Sequence, residues 1–197
     1  NCVVVVSGNV KLAEVKRMAE KYLEPIPAQP AYAPVHITEP PQTGERRIMV
    51  QKEVATPYLH IVYHTPEAKH EDYYALDILS SVLSAGNSSR LYSSLVDKKQ
   101  LATQVFTNYS ESFDPTLFKF YAVTNKGVNE TDLEKAIYEE IEKIKKDGIS
   151  ERELQKIKNQ KLVEFYRQIE TINGKSNNIG TYEVFFGDYK KKEIKQK

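Results

Sequence analysis

HEDYYALDILSSVLSAGNSSRLY, residues 70–92, carries the pattern from which the rest of the chain can be placed. Ala75, Ile78, Leu79, Val82 and Leu83 recur at i, i+3, i+4, i+7 and i+8. That spacing puts apolar side chains on one helical face. It predicts a helix over 70–84, ended by Ser84-Ala85-Gly86-Asn87. Ser88–Lys98 then reads as a second, shorter helix with Leu91 and Leu95 inward. Upstream, Arg46–Glu53 and Tyr58–His64 read as strands flanking a turn at Ala55-Thr56-Pro57. Downstream, Thr103–Glu111 and Thr116–Thr124 read as a hairpin pair around Phe113-Asp114-Pro115. Thr131 with Glu134, and Ser150 with Glu153, have capping-box spacing and open two further helices. Gly148 closes the first of them. A last helix is expected over about 174–187. The sum is an α+β domain over residues 46–197.

Residues 1–45 are organised differently. Val3–Val6 is a β-branched run ending in Ser7-Gly8-Asn9, which reads as a buried strand. Leu12, Val15, Met18, Ala19, Tyr22 and Leu23 follow at helical spacing, and Pro25 and Pro27 stop that helix. Six prolines fall between residues 24 and 45, so 25–45 reads as a linker or an extended crossing segment. One strand and one helix, residues 1–24, bury too little to form a core by themselves. They are expected to dock on the sheet of the domain that follows.

Composition excludes several functions. The 197 residues are 40% hydrophobic and 28% charged, with a net charge of +1. That balance gives no general field to draw nucleic acid, and the basic residues of 143–158 have acidic neighbours. No run approaches the roughly 18 apolar residues of a membrane span. The single cysteine, Cys2, has no His near it in sequence and no second thiol to pair with. No Gly-x-Ser-x-Gly elbow and no glycine-rich phosphate loop occur.

The histidines are His36, His60, His64 and His70. His64-Thr65-Pro66-Glu67-Ala68 comes nearest to an inverted zinc motif, but Ala68 stands where the second His must be and Pro66 breaks the helix. His60 and His64 share one face of a strand about 13 Å apart, too far to bind one tetrahedral ion together. Neither catalytic nor metal-binding residues can be assigned from the residues alone.

Three segments, in order, resemble the M16 metallopeptidases of the pitrilysin, insulinase and mitochondrial processing peptidase type. Cys2-Val-Val-Val-Val-Ser-Gly-Asn-Val10, with the helix ending Ala19-Glu-Lys-Tyr-Leu-Glu-Pro-Ile-Pro27, resembles the strand–helix unit closing the family's first, catalytic domain. His70–Leu76, Leu83–Tyr92 and Leu95–Val105 resemble the signature of the second domain. Gly148-Ile-Ser-Glu-Arg-Glu-Leu154 is similar to its helix–helix junction. The resemblance implies a mixed, mostly antiparallel sheet with helices packed on one face. It implies domains enclosing a chamber for peptides, with zinc in the parent's catalytic domain on a His-x-x-Glu-His helix. This chain has no such motif, so the resemblance places 46–197 as the non-catalytic second domain, with no cofactor of its own.

The implied partners are the catalytic domain or a second M16 subunit, together with peptide substrates. A periplasmic or secreted setting follows from the family only. The loop Gly86, Asn87, Ser88, Ser89 matches a flexible segment that helps admit peptides in related subunits, and Arg90 beside it is a candidate substrate contact. A plain helix cap at Gly86 and a structural Arg90 are the competing readings. Many members carry an Arg and a Tyr at the positions of Val96 and Thr103, so this chain does not supply that pair. A proteolytically inactive scaffold or partner subunit is the alternative parent.

Overall fold

Alternation along Thr116–Thr124 sets the architecture. Phe118, Phe120, Ala122 and Thr124 are buried in succession at a period of two, as a strand with one covered face requires. The computed structural model describes residues 2–30 and 39–190. In it β1 is Tyr58–Thr65, β2 is Ala102–Asn108 and β3 is Thr116–Thr124. The order is β1-β3-β2, with both pairings antiparallel. The central strand is thus the last of the three in sequence.

Helices cover one face of this sheet. They are α2 (Tyr73–Ser84), α3 (Glu130–Asp147) and a π-helical segment, Tyr92–Lys98. Leu83, Leu91, Leu95, Leu133 and Ile137 are fully buried and meet Val105, Phe118, Phe120 and Ala122. The chain is therefore an α+β sandwich of two layers. α4 (Glu151–Glu170) and α5 (Ile172–Phe186) form a helical hairpin beside it, and α1 is Leu12–Tyr22. A Cβ at Gly174 would run into the Gln168 carbonyl, so the tight α4–α5 turn demands glycine there. Among the described residues no helix is long and apolar enough to cross a membrane.

Several expectations need correction. Residues 92–98 wind as a π-helix rather than an α-helix, with Lys99 N–H donating to the Ser94 carbonyl at 2.9 Å. Leu91 and Leu95 both face the core, and the chain reverses at Gln100, whose φ is +52°. The cap of α3 is Asn129, whose side chain accepts from Thr131 N–H; Thr131 is not the cap. The Glu134 carboxylate is instead taken by Arg47 through two hydrogen bonds of 2.6 and 2.8 Å. The Ser150–Glu153 capping box forms as expected.

Arg46–Glu53 forms no regular element and joins no ladder. Ile48, Met49 and Val50 are 87, 74 and 71% exposed. Val3–Val6 joins none either. Ser7 Oγ lies 2.5 Å from Ser176 Oγ, and Val5 lies against Gly180, so this segment follows α5 and not the sheet. α1 has no buried residue. In both segments β-branched and apolar residues favour extended backbone, but propensity alone supplies no hydrogen-bonding neighbour.

The core is thus closed without the first 24 residues. Deleting residues 1–24 should leave the cooperative melting temperature within about 3 °C of the full chain, by the usual scaling for a domain of this size. A fall of about 10 °C or more, or aggregation, would show that the segment completes the fold.

Candidate functional site

The end of α2 shapes the 86–90 loop. Ala85 N–H donates back to the Ser81 carbonyl, Gly86 turns with φ +78°, and Ser89 N–H donates to the Gly86 carbonyl. Gly86 adopts a conformation that a side chain strains, which explains glycine at this position. Gly86, Asn87 and Ser88 are exposed, whereas Ser89 is buried. Ser88 Oγ accepts from Lys156 Nζ at 2.6 Å. The loop borders a shallow groove between α2 and α4, lined in part by Ser81, Ala85, Gly86, Ile157 and Val163.

Arg90 is turned away from this groove. Its Nε and Nη2 donate to the two oxygens of Glu153 at 2.7 and 2.8 Å, and Nη2 also donates to the Gly148 carbonyl at 3.0 Å. Glu153 completes the Ser150 capping box at the same time. One guanidinium therefore ties the α2 end to the α3–α4 junction through paired, charge-assisted hydrogen bonds. Arg90 holds the Glu153 carboxyl down to about 2, from 4.5 in a free glutamate, and Ser150 adds to the shift. Ser94 Oγ and Lys143 Nζ likewise donate to the buried Glu140.

Val96 packs partly buried against the core. Thr103 is exposed at the β2 irregularity between Ala102 and Gln104, its hydroxyl directed to the Val123 carbonyl at 3.5 Å. Neither side chain can donate as an Arg–Tyr pair would.

The described histidines do not fit a zinc centre. His60 and His64 face the same side of β1, opposite Tyr121 and Leu117. His70 accepts from Asp72 N–H through Nδ1. No group of three His, Cys, Asp or Glu side chains converges among the described residues. His36 lies outside them.

The face of the sheet opposite the helices was not singled out from sequence. Tyr58, His60, Val62 and His64 of β1 share it with Phe106 of β2 and with Lys119 and Tyr121 of β3, by register. Tyr121 sits centrally. Its ring centroid is 4.7 Å from those of His60 and Phe106 and 6.0 Å from that of Tyr58. Tyr58 is 57% exposed, Val62 46% and Phe106 45%. The signal was present as alternate positions of two predicted strands, but whether an alternating face is buried or open depends on where the helices pack.

Comparison with known proteins gives a consistent result. A sequence model of the Peptidase M16 inactive domain matches residues 1–161. The zinc protease PqqE of Helicobacter pylori is 34% identical over 187 residues, covering 93% of this chain and 42% of that protein. The uncharacterized zinc protease YmxG of Bacillus subtilis is 29% identical over 153 residues, covering 77% of this chain and 37% of that protein. The crystal structure of a protease from H. pylori superimposes with a TM-score of 0.87 at 32% identity, over 96% of this chain and 46% of that one. The chain spans less than half the length of these relatives.

The Arg90–Glu153 pair gives the site a pH signature. Because the folded carboxyl titrates near 2 and the unfolded one near 4.5, its stabilisation is complete above about pH 4.5 and is lost as pH falls through about 2. Urea midpoints measured from about pH 5 to pH 2 should fall more steeply for the wild type than for Glu153→Gln. Parallel slopes would show that the pair does not stabilise the fold.

Proposed function

The chain belongs to the M16 peptidase family through its inactive domain, and from that premise we propose that it is a non-catalytic, chamber-forming and peptide-binding domain of a zinc-dependent endopeptidase. The observation that carries the reading is the family match to the inactive domain over 1–161, beside described residues in which no group of three possible metal ligands converges. Zinc and the water it activates belong, on this reading, to a catalytic domain or subunit that pairs with this one. This chain contributes shape, and backbone and side-chain contacts to an extended peptide.

Two features support a binding role. The loop Gly86–Ser89 stands at the rim of the α2–α4 groove on a base fixed by Arg90 and Glu153. A loop with exposed glycine and small polar residues on a rigid base can yield to a peptide while its surroundings hold position. The sheet presents an open face, and among the described residues the outer edge of β1 has no main-chain partner; such an edge binds extended chains through main-chain hydrogen bonds. Residues 2–24, which touch α5 through Val5, Ser7 and Gly8 and leave most of their apolar side chains exposed, fit the end of a preceding domain, joined through the proline-rich 25–45 segment.

The loop provides the test. In a longer protein carrying this domain beside a zinc domain, replacing the exposed Asn87-Ser88 pair with a stiffer one, while keeping Gly86 and the buried Ser89, should lower peptide turnover and leave the melting temperature within about 3 °C. Unchanged kinetics at unchanged stability would reduce the loop to a helix cap. Absence of any peptide cleavage in that protein would move the domain into a scaffold or partner subunit.

A further inference from the structure

We propose that the outer edge of β1, with the aromatic face beside it, binds an extended peptide segment in which a bulky aromatic or apolar residue stands next to an acidic one. The proposal rests on the reading of the chain as a peptide-binding domain and specifies where on it the peptide lies and what the site selects.

The edge is open. β1 is laddered to β3 from Tyr58 to Thr65, and among the described residues no main-chain hydrogen bond reaches its other side. Strand, helix, two strands and helices, in the order β1-β3-β2, make three of the four strands of a split βαβ sheet. The vacant position in that arrangement is beside β1. The chain's own 39–54 segment passes close by. Glu39 reaches His64 at 3.8 Å and Arg47 is held by Glu134, yet the segment forms no ladder and its Ile48, Met49 and Val50 stay exposed. Among the described residues the edge is left for another strand.

A strand added there continues the two-residue period of the sheet. Its alternate side chains would fall on the solvent face, next to Tyr58, His60 and Val62. The rings around Tyr121 are already in edge and tilted contact at 4.7–6.0 Å, so little side-chain freedom is lost when another ring joins them. Charge narrows the choice further. Lys119 has no ion-pair partner among the described residues. No Asp or Glu occupies an outward position of the three strands; Glu39, beside His64, is the nearby carboxylate. A carboxylate in the bound segment complements this face, and a lysine is repelled.

The chain has no tryptophan, so a short peptide with one Trp beside a Glu reports its own binding by fluorescence. We expect a blue shift on binding, at least about tenfold weaker binding when Lys replaces that Glu, and a similar loss in the Tyr58→Ala/Phe106→Ala variant. Lys119→Glu, a change at an exposed site, should reverse the preference between the two peptides. Amide exchange gives a second readout: the outward-pointing alternate amides of β1 should exchange fast in the free chain and slow with peptide. Outward amides already protected in the free chain would show the edge filled by the chain itself and overturn the proposal. Equal binding by wild type and both variants would also overturn it, while leaving a peptide-binding domain in place. No binding of any of these peptides would remove both the proposal and the reading beneath it.

Discussion

β3 can bury only one of its faces, and the rest of the molecule follows from that constraint. It is paired on both sides, so its backbone is satisfied within the sheet. Phe118, Phe120, Ala122 and Thr124 then need a cover, which α2, the π-helical segment and α3 provide through Leu83, Leu91, Leu95, Leu133 and Ile137. Removing this much apolar surface from water drives the two layers together. The same step leaves Tyr121 and Phe106 on the far side without a helical cover. A two-layer fold of this kind has one face that makes the core and one face available for other work.

The helix layer is fastened at its ends by polar contacts. Arg90 joins the end of α2 to the start of α4, and Arg47 joins the segment before β1 to the first turns of α3. Both are paired guanidinium–carboxylate contacts, which fix direction as well as distance. They hold the end of α2, the α3–α4 junction and the segment before β1 in one frame. Val96 and Thr103 offer no charge, and the described histidines do not converge.

Much of this was legible in the sequence where pattern and packing agree. Tyr58–Thr65, Thr116–Thr124 and the inward Leu79, Val82 and Leu83 of α2 were found because periodicity there reflects burial, whereas Ala75 is exposed and Tyr73 and Leu76 take the inward places at the start of that helix. The Ser150–Glu153 box was found because its logic is local. The misses share a cause. Thr131–Glu134 has capping-box spacing, but Glu134 is claimed by Arg47, 87 positions away, and Asn129 caps the helix. Val3–Val6 and Arg46–Glu53 have strand composition, but no partner strand meets them among the described residues. The π-helical turn at Tyr92–Lys98 was missed because Leu91 and Leu95 share a face in an α-helix as well, so apolar spacing does not tell the two windings apart. The aromatic face was invisible because both faces of an alternating strand look alike until the helices choose one.

The central claim is that this domain meets the substrate without cutting it. The most direct measurement is photo-crosslinking of a peptide carrying a photoreactive phenylalanine to a longer protein that contains this domain beside a zinc domain, with the adducts mapped by mass spectrometry. The account predicts adducts on the domain, at the Tyr58–Thr65 strand, Phe106 or the 86–89 loop, and their loss when unlabelled peptide competes. Adducts confined to the zinc domain, with none displaced from this one, would contradict it.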